Sequence, residues 1–204
     1  MSFLNPYLSL KRTFDFSLAA LGGMFFLPLA AFFAFLIWFE DKGPVYFSQV
    51  RVGKDGVIFN NFKFRSMKPD AENGLGPVQA KENDPRVTSV GKFLRKTAMD
   101  ELPQLINILR GDMSFVGPRA LRPVEKELTS DGKVRDIFDI PGFAERSKVK
   151  PGLTGFAQVY ASRKLIREEK FKYDLWYIDH MNFWLDIKLI IQSVANTLRA
   201  KWDI

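Results

Sequence analysis

The chain has 204 residues, a formal net charge of +7 and 47% hydrophobic residues, which is compatible with one packed domain and an appendage. It has no cysteine, which excludes disulfides, thiolate metal sites and cysteine nucleophiles, and its single histidine, His180, excludes a histidine-rich zinc site. We therefore expect any chemistry to use carboxylates, hydroxyls, lysines and arginines, with a hard cation such as Mg²⁺. Twenty Phe residues and the basic balance suggest a lipid environment and an anionic partner.

The first predicted element is an uncharged apolar segment, Ser17 to Phe39, whose length of about 23 residues suffices for a membrane helix. A buried core helix is rarely apolar on every face, and a signal peptide has a shorter apolar stretch of ~7–15 residues. Pro28 divides the segment into halves of roughly 16 Å, each about half of a hydrocarbon core. Lys11 and Arg12 precede the segment and all other Lys and Arg residues follow it, so both flanks favour the cytoplasmic side. We predict a re-entrant helix-hairpin over residues 1–40, broken at Pro28, in preference to a straight span.

A cytosolic domain is predicted for residues 41–204, and its first element is a β-hairpin. Apolar and polar residues alternate on both sides of the turn Gly-Lys-Asp-Gly at 53–56. A β-bulge is expected at Asn60-Asn61, after which Lys63 and Arg65 project from the same face of the second strand.

A mobile loop is predicted for residues 69–86, which are rich in Pro, Gly, Asn and acidic residues, and a helix follows it. The helix is indicated by apolar residues at helical spacing between Leu102 and Leu109. Because proline is tolerated only in the first turn, Pro103 places the helix start close to Asp100, and Gly111 predicts the helix end.

Two more helices are predicted towards the end of the chain. The chain should be helical from about Ile166, and residues 185–202 form an apolar stripe next to a group of aromatic residues. Packing in the core and docking on the membrane interface both explain this stripe. His180 lies on the aromatic-rich helix and is interpreted as structural.

The candidate site is the acidic pair Asp100-Glu101 at the positive end of the predicted helix. On these residues alone, Asp100 would equally well be an N-cap. Nearby basic residues favour a site, because Mg²⁺ needs carboxylate oxygens and phosphate oxygens need Arg and Lys. The basic candidates are Lys63, Arg65, Arg95, Lys96 and Arg119. Lys150-Pro151-Gly152, with Thr154-Gly155, could present a cation and main-chain N–H groups to an anion. A carboxylate in this setting can also be a covalent nucleophile towards phosphorus.

The chain resembles the monotopic phosphoglycosyl transferases, the bacterial sugar transferase family, in three stretches. These are KFRSM at 63–67, AMDELPQLINILRGDMSFVGPR at 98–119 and KPGLTGFAQV at 150–159. The likeness runs from Lys11 to beyond Leu189, with the motifs in the same order. It implies an α+β fold, in which a re-entrant helix carries a small, mainly helical domain with a β-hairpin and membrane-interface helices.

The resemblance also implies a function. The family transfers a sugar phosphate from a UDP-sugar to polyprenyl (undecaprenyl) phosphate, with release of UMP, at the cytoplasmic face of the bacterial inner membrane, and it needs Mg²⁺. Asp100 would be the nucleophile that forms a phosphosugar-aspartyl intermediate, and Glu101 would assist metal binding or proton handling, so both are candidate Mg²⁺ ligands. The phosphate contacts would come from Lys63, Arg95, Arg119 and the anion-binding turn Lys150-Pro151-Gly152.

Three residues depart from the family pattern. Leu27 replaces a frequent Ser before the helix-breaking proline, and Ala120 replaces the Pro that usually follows Gly-Pro-Arg. Lys150 replaces an Arg and so loses the bidentate fork. These departures affect local geometry and leave the acidic pair intact.

Three alternative functions stay open at this point. A membrane-tethered binding protein for anionic polymers or lipids would explain the charge and the anchor, but not Asp100-Glu101 beside Pro103. A nucleic-acid-binding domain would need a recognition motif that the sequence lacks, so we expect no nucleic-acid partner. A Mg²⁺-dependent hydrolase of sugar nucleotides would release free sugar phosphate without polyprenyl phosphate. The sequence assigns neither the sugar nor the oligomeric state.

Overall fold

The computed structural model describes residues 4–69, 71, 84–162 and 164–199 and has an α+β fold. Its helices are α1 (Leu4–Asp41), α2 (Ser89–Lys96), α3 (Gln104–Arg110), α4 (Phe143–Arg146), α5 (Phe156–Tyr160), α6 (Arg167–His180) and α7 (Phe183–Leu198). Its strands are β1 (Tyr46–Val52), β2 (Ile58–Phe64), β3 (Ser114–Val116), β4 (Lys126–Leu128), β5 (Val134–Asp136) and β6 (Gly152–Thr154). Most of the predicted loop 69–86 lies outside the described residues.

Helix α1 is 38 residues long and remains helical through Pro28, so the predicted break at this proline is absent. The proline removes one backbone hydrogen bond, and the turns on both sides of it stay helical. In the described part of the chain, only this helix is long and apolar enough to cross a membrane, judged by length and composition, and its mean hydropathy reaches 2.2. Polar contacts tie both of its ends to the rest of the chain. Lys11, near the start, donates to Asp186 of α7 at 2.5 Å. Near the end, Glu40 accepts a hydrogen bond from the main-chain N–H of Ser89 at 2.7 Å.

Two apolar clusters join the two halves of α1 to the domain. The first cluster contains Ala19, Ile108 and Met113. The second contains Phe33, Ile37, Phe64 and Leu94. The middle of the helix is exposed instead, with Met24 and Phe25 at 76% and 78% exposure. Helix α1 therefore packs on one body near both ends and leaves a large apolar surface between them.

The β-hairpin is present as predicted, but the β-bulge is not. Asn60 pairs with Val50 and Asn61 pairs with Gln49 in an unbroken antiparallel register. Each residue of β2 therefore faces one residue of β1, and no extra residue is inserted. The outer edge of β2 is bonded by a side chain. Asn107 of α3 donates to the carbonyl of Asn60 at 2.7 Å.

The structure contains three two-stranded sheets among its described residues. The pair β3–β6 is parallel and aligns Ser114 with Gly152 and Val116 with Thr154, while β4–β5 is a second antiparallel hairpin. Gly152 therefore lies in a strand, which the glycine-rich sequence did not indicate. The glycine is needed there, since a Cβ atom would lie 2.1 Å from the main-chain nitrogen of Gly117.

The helices near the end of the chain agree with their predicted starts. Helix α6 begins at Arg167, directly after Ile166. Helix α7 begins after Asn182, whose side chain accepts a hydrogen bond from the N–H of Leu185 at 3.0 Å and so acts as N-cap. Large apolar side chains of α7 stay exposed, and these are Trp184, Ile191, Val194 and Leu198.

Candidate active site

Helix α3 is docked on β2 by one buried side chain, that of Asn107, which is fully buried. Its amide oxygen accepts from the N–H of Phe62 at 3.0 Å, and its amide nitrogen donates to the carbonyl of Asn60. The side chain thus replaces a neighbouring strand at this edge of β2. This docking brings Lys63 of β2 beside the start of α3.

The acidic pair lies in a 3₁₀ turn, Met99–Glu101, that leads into α3. The turn follows Ala98, which has a left-handed conformation with φ of 55°. Asp100 is not the N-cap of α3, since that position is Pro103 and no side chain caps it. The helix then ends at Gly111 with φ of 91°, as predicted from the sequence.

The two carboxyl groups have opposite electrostatic environments. Burial raises the pKa of Asp100 to about 6, with a further contribution from the charge of Glu101, against the opposing charges of Lys63 and Arg95. The pKa of Glu101 is lowered, because the charges of Lys63 and Arg119 and hydrogen bonds from Lys63 and Gln104 outweigh the effect of burial. Glu101 is therefore the permanent anion of the pair, and Asp100 is the carboxyl that holds a proton more readily.

The position of Lys63 also distinguishes the two acids. Its ammonium group forms an ion pair and hydrogen bond with Glu101, whereas it lies 3.9 Å from the nearer oxygen of Asp100. The side chain of Asp100 is 13% exposed, so it is buried without being directly bonded to this lysine. A carboxylate in this position remains available to a reacting atom.

The structure brings some of the candidate basic residues to the pair and places others elsewhere. Lys63, Arg95 and Arg119 are near enough to change the pKa of one of the two acids. Arg65 instead forms an ion pair with Asp41 at the end of α1. On this geometry Arg65 secures the end of the apolar helix.

Lys150 lies near the opposite end of α3 from the acidic pair. Its ammonium group is close to Gly111, where the guanidinium of Arg12 also lies. Arg12 donates to the carbonyl oxygens of Ile108 and Leu109 at 2.6 and 2.8 Å. Burial and the charge of Arg12 lower the pKa of Lys150.

Pro151 and Gly152 belong to the scaffold beside Arg119. The carbonyl of Pro151 accepts from the N–H of Ser114 at 2.9 Å, and the N–H of Gly152 donates to the carbonyl of Pro118 at 2.9 Å. The N–H of Gly152 is thus engaged by the protein, contrary to the expectation that this segment presents that group to an anion. The main chain of Arg119 pairs with that of Gly152 in a parallel β-bridge outside the named strands.

Two residues of this region were not identified from the sequence. Gln104 is buried and hydrogen-bonds Glu101. Arg51 of β1 is also buried, and burial together with the charges of Arg119 and Arg122 lowers its pKa to about 10. The position of Gln104 three residues after Glu101 was a usable signal, since such residues are neighbours on a helix. Nothing local distinguishes Arg51 from an exposed strand arginine.

A divalent cation would find two adjacent carboxylates here. The described residues contain no group of three or more His, Cys, Asp or Glu side chains that could hold a metal ion. Mg²⁺ is commonly bound by one or two carboxylates together with substrate phosphates and water. Asp100 and Glu101 fit that donor set, and phosphate groups of a bound nucleotide would supply further oxygen ligands.

The described residues thus combine a buried carboxyl, an ionised neighbour and several cations with one long apolar helix. Residues 6–200 match the model of the family described as Bacterial sugar transferase. The chain therefore belongs to the bacterial sugar transferase family, as its motifs indicated.

Three relatives illustrate the range of this family. The chain is 42% identical over 190 residues to the UDP-glucose:undecaprenyl-phosphate glucose-1-phosphate transferase of Escherichia coli (strain K12), covering 91% of this chain and 39% of that protein. It is 39% identical over 197 residues to the UDP-N-acetylgalactosamine-undecaprenyl-phosphate N-acetylgalactosaminephosphotransferase of Aeromonas hydrophila, covering 94% and 44%. A UDP-glucose:undecaprenyl-phosphate glucose-1-phosphate transferase of Caulobacter vibrioides is 39% identical, covering 92% and 69%. The chain thus spans less than half the length of the first two.

Proposed function

We propose that this chain is a phosphoglycosyl transferase that moves a sugar phosphate from a UDP-sugar to polyprenyl phosphate. The observation that carries the proposal is the geometry of Asp100, a buried carboxyl with a raised pKa beside an ionised Glu101. The names of the relatives, which combine a UDP-sugar with undecaprenyl phosphate, support the same donor and acceptor classes. These names differ in the sugar, so the proposal leaves the sugar open.

In the proposed reaction, a carboxylate oxygen of Asp100 attacks the β-phosphorus of the donor. The bond from that phosphorus to the bridging oxygen breaks, and UMP leaves with the electron pair. A phosphate oxygen of the acceptor then attacks the phosphosugar-aspartyl phosphorus, which releases the Asp100 carboxylate and forms the polyprenyl-diphosphate-linked sugar. The reaction would be the first membrane step in the assembly of a bacterial glycan.

The surrounding residues have separate tasks in this scheme. Lys63 neutralises Glu101, while Arg95 and Arg119 offer guanidinium groups to phosphate oxygens. Asp100 and Glu101 would hold Mg²⁺ with the donor, and the ion would supply positive charge at the diphosphate. Each task follows from the charge and position of a side chain.

We also propose that α1 is re-entrant and that the domain lies at the cytoplasmic face of the bacterial inner membrane. The polar contacts of Lys11 and Glu40 hold both ends of α1 on one body. A helix that crossed the bilayer would have its two flanks separated by about 30 Å of hydrocarbon, which is incompatible with both contacts. Pro28 lies in the exposed stretch between them, where a lost hydrogen bond permits a bend.

Helix α7 would then rest on the membrane interface. The exposed side chains of Trp184, Ile191, Val194 and Leu198 recur every three to seven residues and share one helical face. This proposal selects membrane docking over core packing for the apolar stripe.

The reaction is tested by UMP release from purified protein in detergent, with Mg²⁺, undecaprenyl phosphate and a panel of UDP-sugars. We expect repeated release with one or two donors, dependent on the acceptor and abolished by Asp100→Asn. Without the acceptor, release should stop at about one UMP per protein, because UMP leaves when the aspartyl intermediate forms. Continued release of UMP without the acceptor would indicate the sugar-nucleotide hydrolase instead. No release with any donor by folded protein would favour the membrane-tethered binding protein.

The topology is tested by cysteine labelling, which is clean because the natural chain has no cysteine. Ser9 and Ser48 are exposed and lie on opposite sides of the apolar stretch. Ser9→Cys and Ser48→Cys should both be labelled from the same side of sealed inverted vesicles by a membrane-impermeant reagent. Labelling from opposite sides would refute the re-entrant arrangement.

A further inference from the structure

The main chain at Arg119 is held at four consecutive carbonyl oxygens, those of residues 118–121. The N–H groups of Gly152 and Val52 donate to the first and last of these oxygens at 2.9 and 2.8 Å. Guanidinium groups hold the two oxygens in between. Nη2 of Arg146 donates to the second oxygen, that of Arg119, at 2.8 Å, and Nη1 of Arg51 donates to the third at 3.0 Å.

Arg146 is itself fixed by an acid. Its Nε donates to Oδ2 of Asp174 at 2.8 Å, and the two side chains are only 6% and 4% exposed. The guanidinium also lies over the ring of Phe171, at 4.6 Å. The orientation of the planar guanidinium of Arg146 is therefore fixed by two contacts. One is with Asp174 of α6, and the other is with the carbonyl of Arg119.

Stability alone is a weak explanation for this arrangement. A buried ion pair often stabilises a fold no more than apolar residues of similar size, because both charges lose their hydration. What the pair adds is a charged donor in a fixed orientation at one peptide group. That peptide group carries the side chain of Arg119, which is exposed, and the same residue forms a β-bridge with Gly152.

We propose that Arg146, held by Asp174, and Arg51 are positioning residues that direct the Arg119 guanidinium towards the diphosphate of the donor. The inference rests on the proposed function, because it takes a nucleoside diphosphate as the ligand of Arg119. Neither guanidinium needs to touch the substrate in this arrangement. Each acts through the main chain of residues 118–121.

The first test replaces the ion pair without leaving a single buried charge. The double variant Arg146→Met/Asp174→Leu substitutes apolar side chains of similar size, which preserves folding in comparable cases. We expect its UDP binding in the presence of Mg²⁺ to be roughly tenfold weaker by calorimetry, with a matching rise in KM for the donor and a nearly unchanged kcat. Ile140→Val is the matched control, since Ile140 lies in the core cluster with Phe171 but donates to none of these carbonyls, and its UDP affinity should not change.

The second test asks whether the effect passes through Arg119. In an Arg119→Ala background, the Arg146→Met/Asp174→Leu replacement should change UDP affinity less than twofold, because the side chain to be positioned is gone. Arg51→Met should likewise weaken UDP binding when Arg119 is present and change it less than twofold in the Arg119→Ala background. An equal fold-loss with and without Arg119 would overturn the inference, since it would show that the pair acts on the protein generally.

The binding measurement separates this inference from the proposed reaction. UDP binding that is coupled between Arg119 and the Arg146–Asp174 pair would support the inference even if no UDP-sugar were turned over, in which case only the reaction would be refuted. Absence of UDP binding by the folded natural protein would overturn the inference, because Arg119 would then have no diphosphate to contact.

Discussion

Replacing Asp100 by Asn should stabilise the metal-free protein at neutral to alkaline pH. The Asp100 side chain is 13% exposed and has Glu101 beside it, so ionisation of Asp100 places a second negative charge in a poorly hydrated site. Asn has nearly the same shape and carries no charge. The substitution that abolishes the proposed chemistry is therefore expected to increase stability.

The magnitude follows from the pKa. A rise from 3.8 to about 6 means that the folded state binds the proton more tightly than the unfolded chain does. The stability gained from this proton is fully present below pH 3.8 and is lost as the pH rises through 6. Relative to Asn, ionised Asp100 should cost about 3 kcal/mol at pH 8 and roughly half of that at pH 5. For a chain of this length, the larger value corresponds to roughly 6–12 °C in Tm.

The assay is thermal unfolding in detergent with a chelator, at pH 8 and pH 5. Asp55→Asn is the control, because Asp55 is 65% exposed and has a left-handed conformation that Asn tolerates. We expect Asp100→Asn to raise Tm, and to raise it more at pH 8 than at pH 5. A lower Tm at pH 8, or a gain independent of pH, would refute the argument that burial penalises the ionised form. Added Mg²⁺ should stabilise the natural protein more than the variant, since the variant lacks one carboxylate ligand.

Three further substitutions test other parts of the structure. Lys63→Met should lower UMP release by at least about 100-fold, because it leaves Glu101 unpaired beside the proposed nucleophile; Lys92→Met, on the exposed face of α2, should leave release unchanged. Asp186→Ala removes the partner of Lys11 and Tyr7 and should cost about 3–5 kcal/mol of stability. This cost corresponds to a decrease in Tm of at least roughly 6 °C in thermal unfolding. A decrease of less than about 2 °C would show that this contact does not secure α1. Gly152→Ala should prevent stable folding, because its Cβ would meet the backbone of Gly117, whereas Gly23→Ala, with open space around it, should fold normally by circular dichroism.

The elements that were predicted correctly are those whose signals are local. Pro103 and Gly111 bracket α3 because proline is compatible only with a first helical turn and glycine with a left-handed end. The hairpin turn at 53–56 could be identified because it needs residues that accept positive φ, which the structure shows at Asp55 and Gly56. Each of these features depends on a few consecutive residues, so the sequence displays it directly.

Two mispredicted features, at Asn60-Asn61 and at Gly152, depend on partners distant in the chain, whereas the predicted break at Pro28 is absent within one continuous helix. A bulge was expected at Asn60-Asn61, but these residues pair one to one with Val50 and Gln49 of β1. The carbonyl of Asn60 accepts from Asn107, 47 residues away, which the sequence does not display. Gly152 resembles a turn glycine until β3 lies beside it. Short strands of three residues carry almost no periodic signal, so β3 and β6 could not have been paired from the sequence.

The candidate site was predicted in part for a similar reason. The motif around Asp100 identified the acidic pair, and the expectation of nearby cations holds for Lys63, Arg95 and Arg119 in the structure. The supporting residues could not be identified, because the hydrogen bond from Arg146 to the carbonyl of Arg119 joins separate elements. A motif predicts which residues carry chemistry, while their orientation depends on long-range contacts.

The geometry of the site supports the proposal that the nucleophile is Asp100 rather than Glu101. A carboxylate reacts with phosphorus through a free oxygen lone pair, and an ion pair with a lysine reduces the availability of that lone pair. Lys63 acts on Glu101 through a hydrogen bond and its charge, whereas it lies 3.9 Å from Asp100 and acts on that acid through its charge alone. The raised pKa of Asp100 makes its carboxylate the more basic of the two once it is ionised. If Glu101 were the nucleophile, the reaction would have to break its ion pair with Lys63 first, whereas attack by Asp100 leaves that ion pair intact.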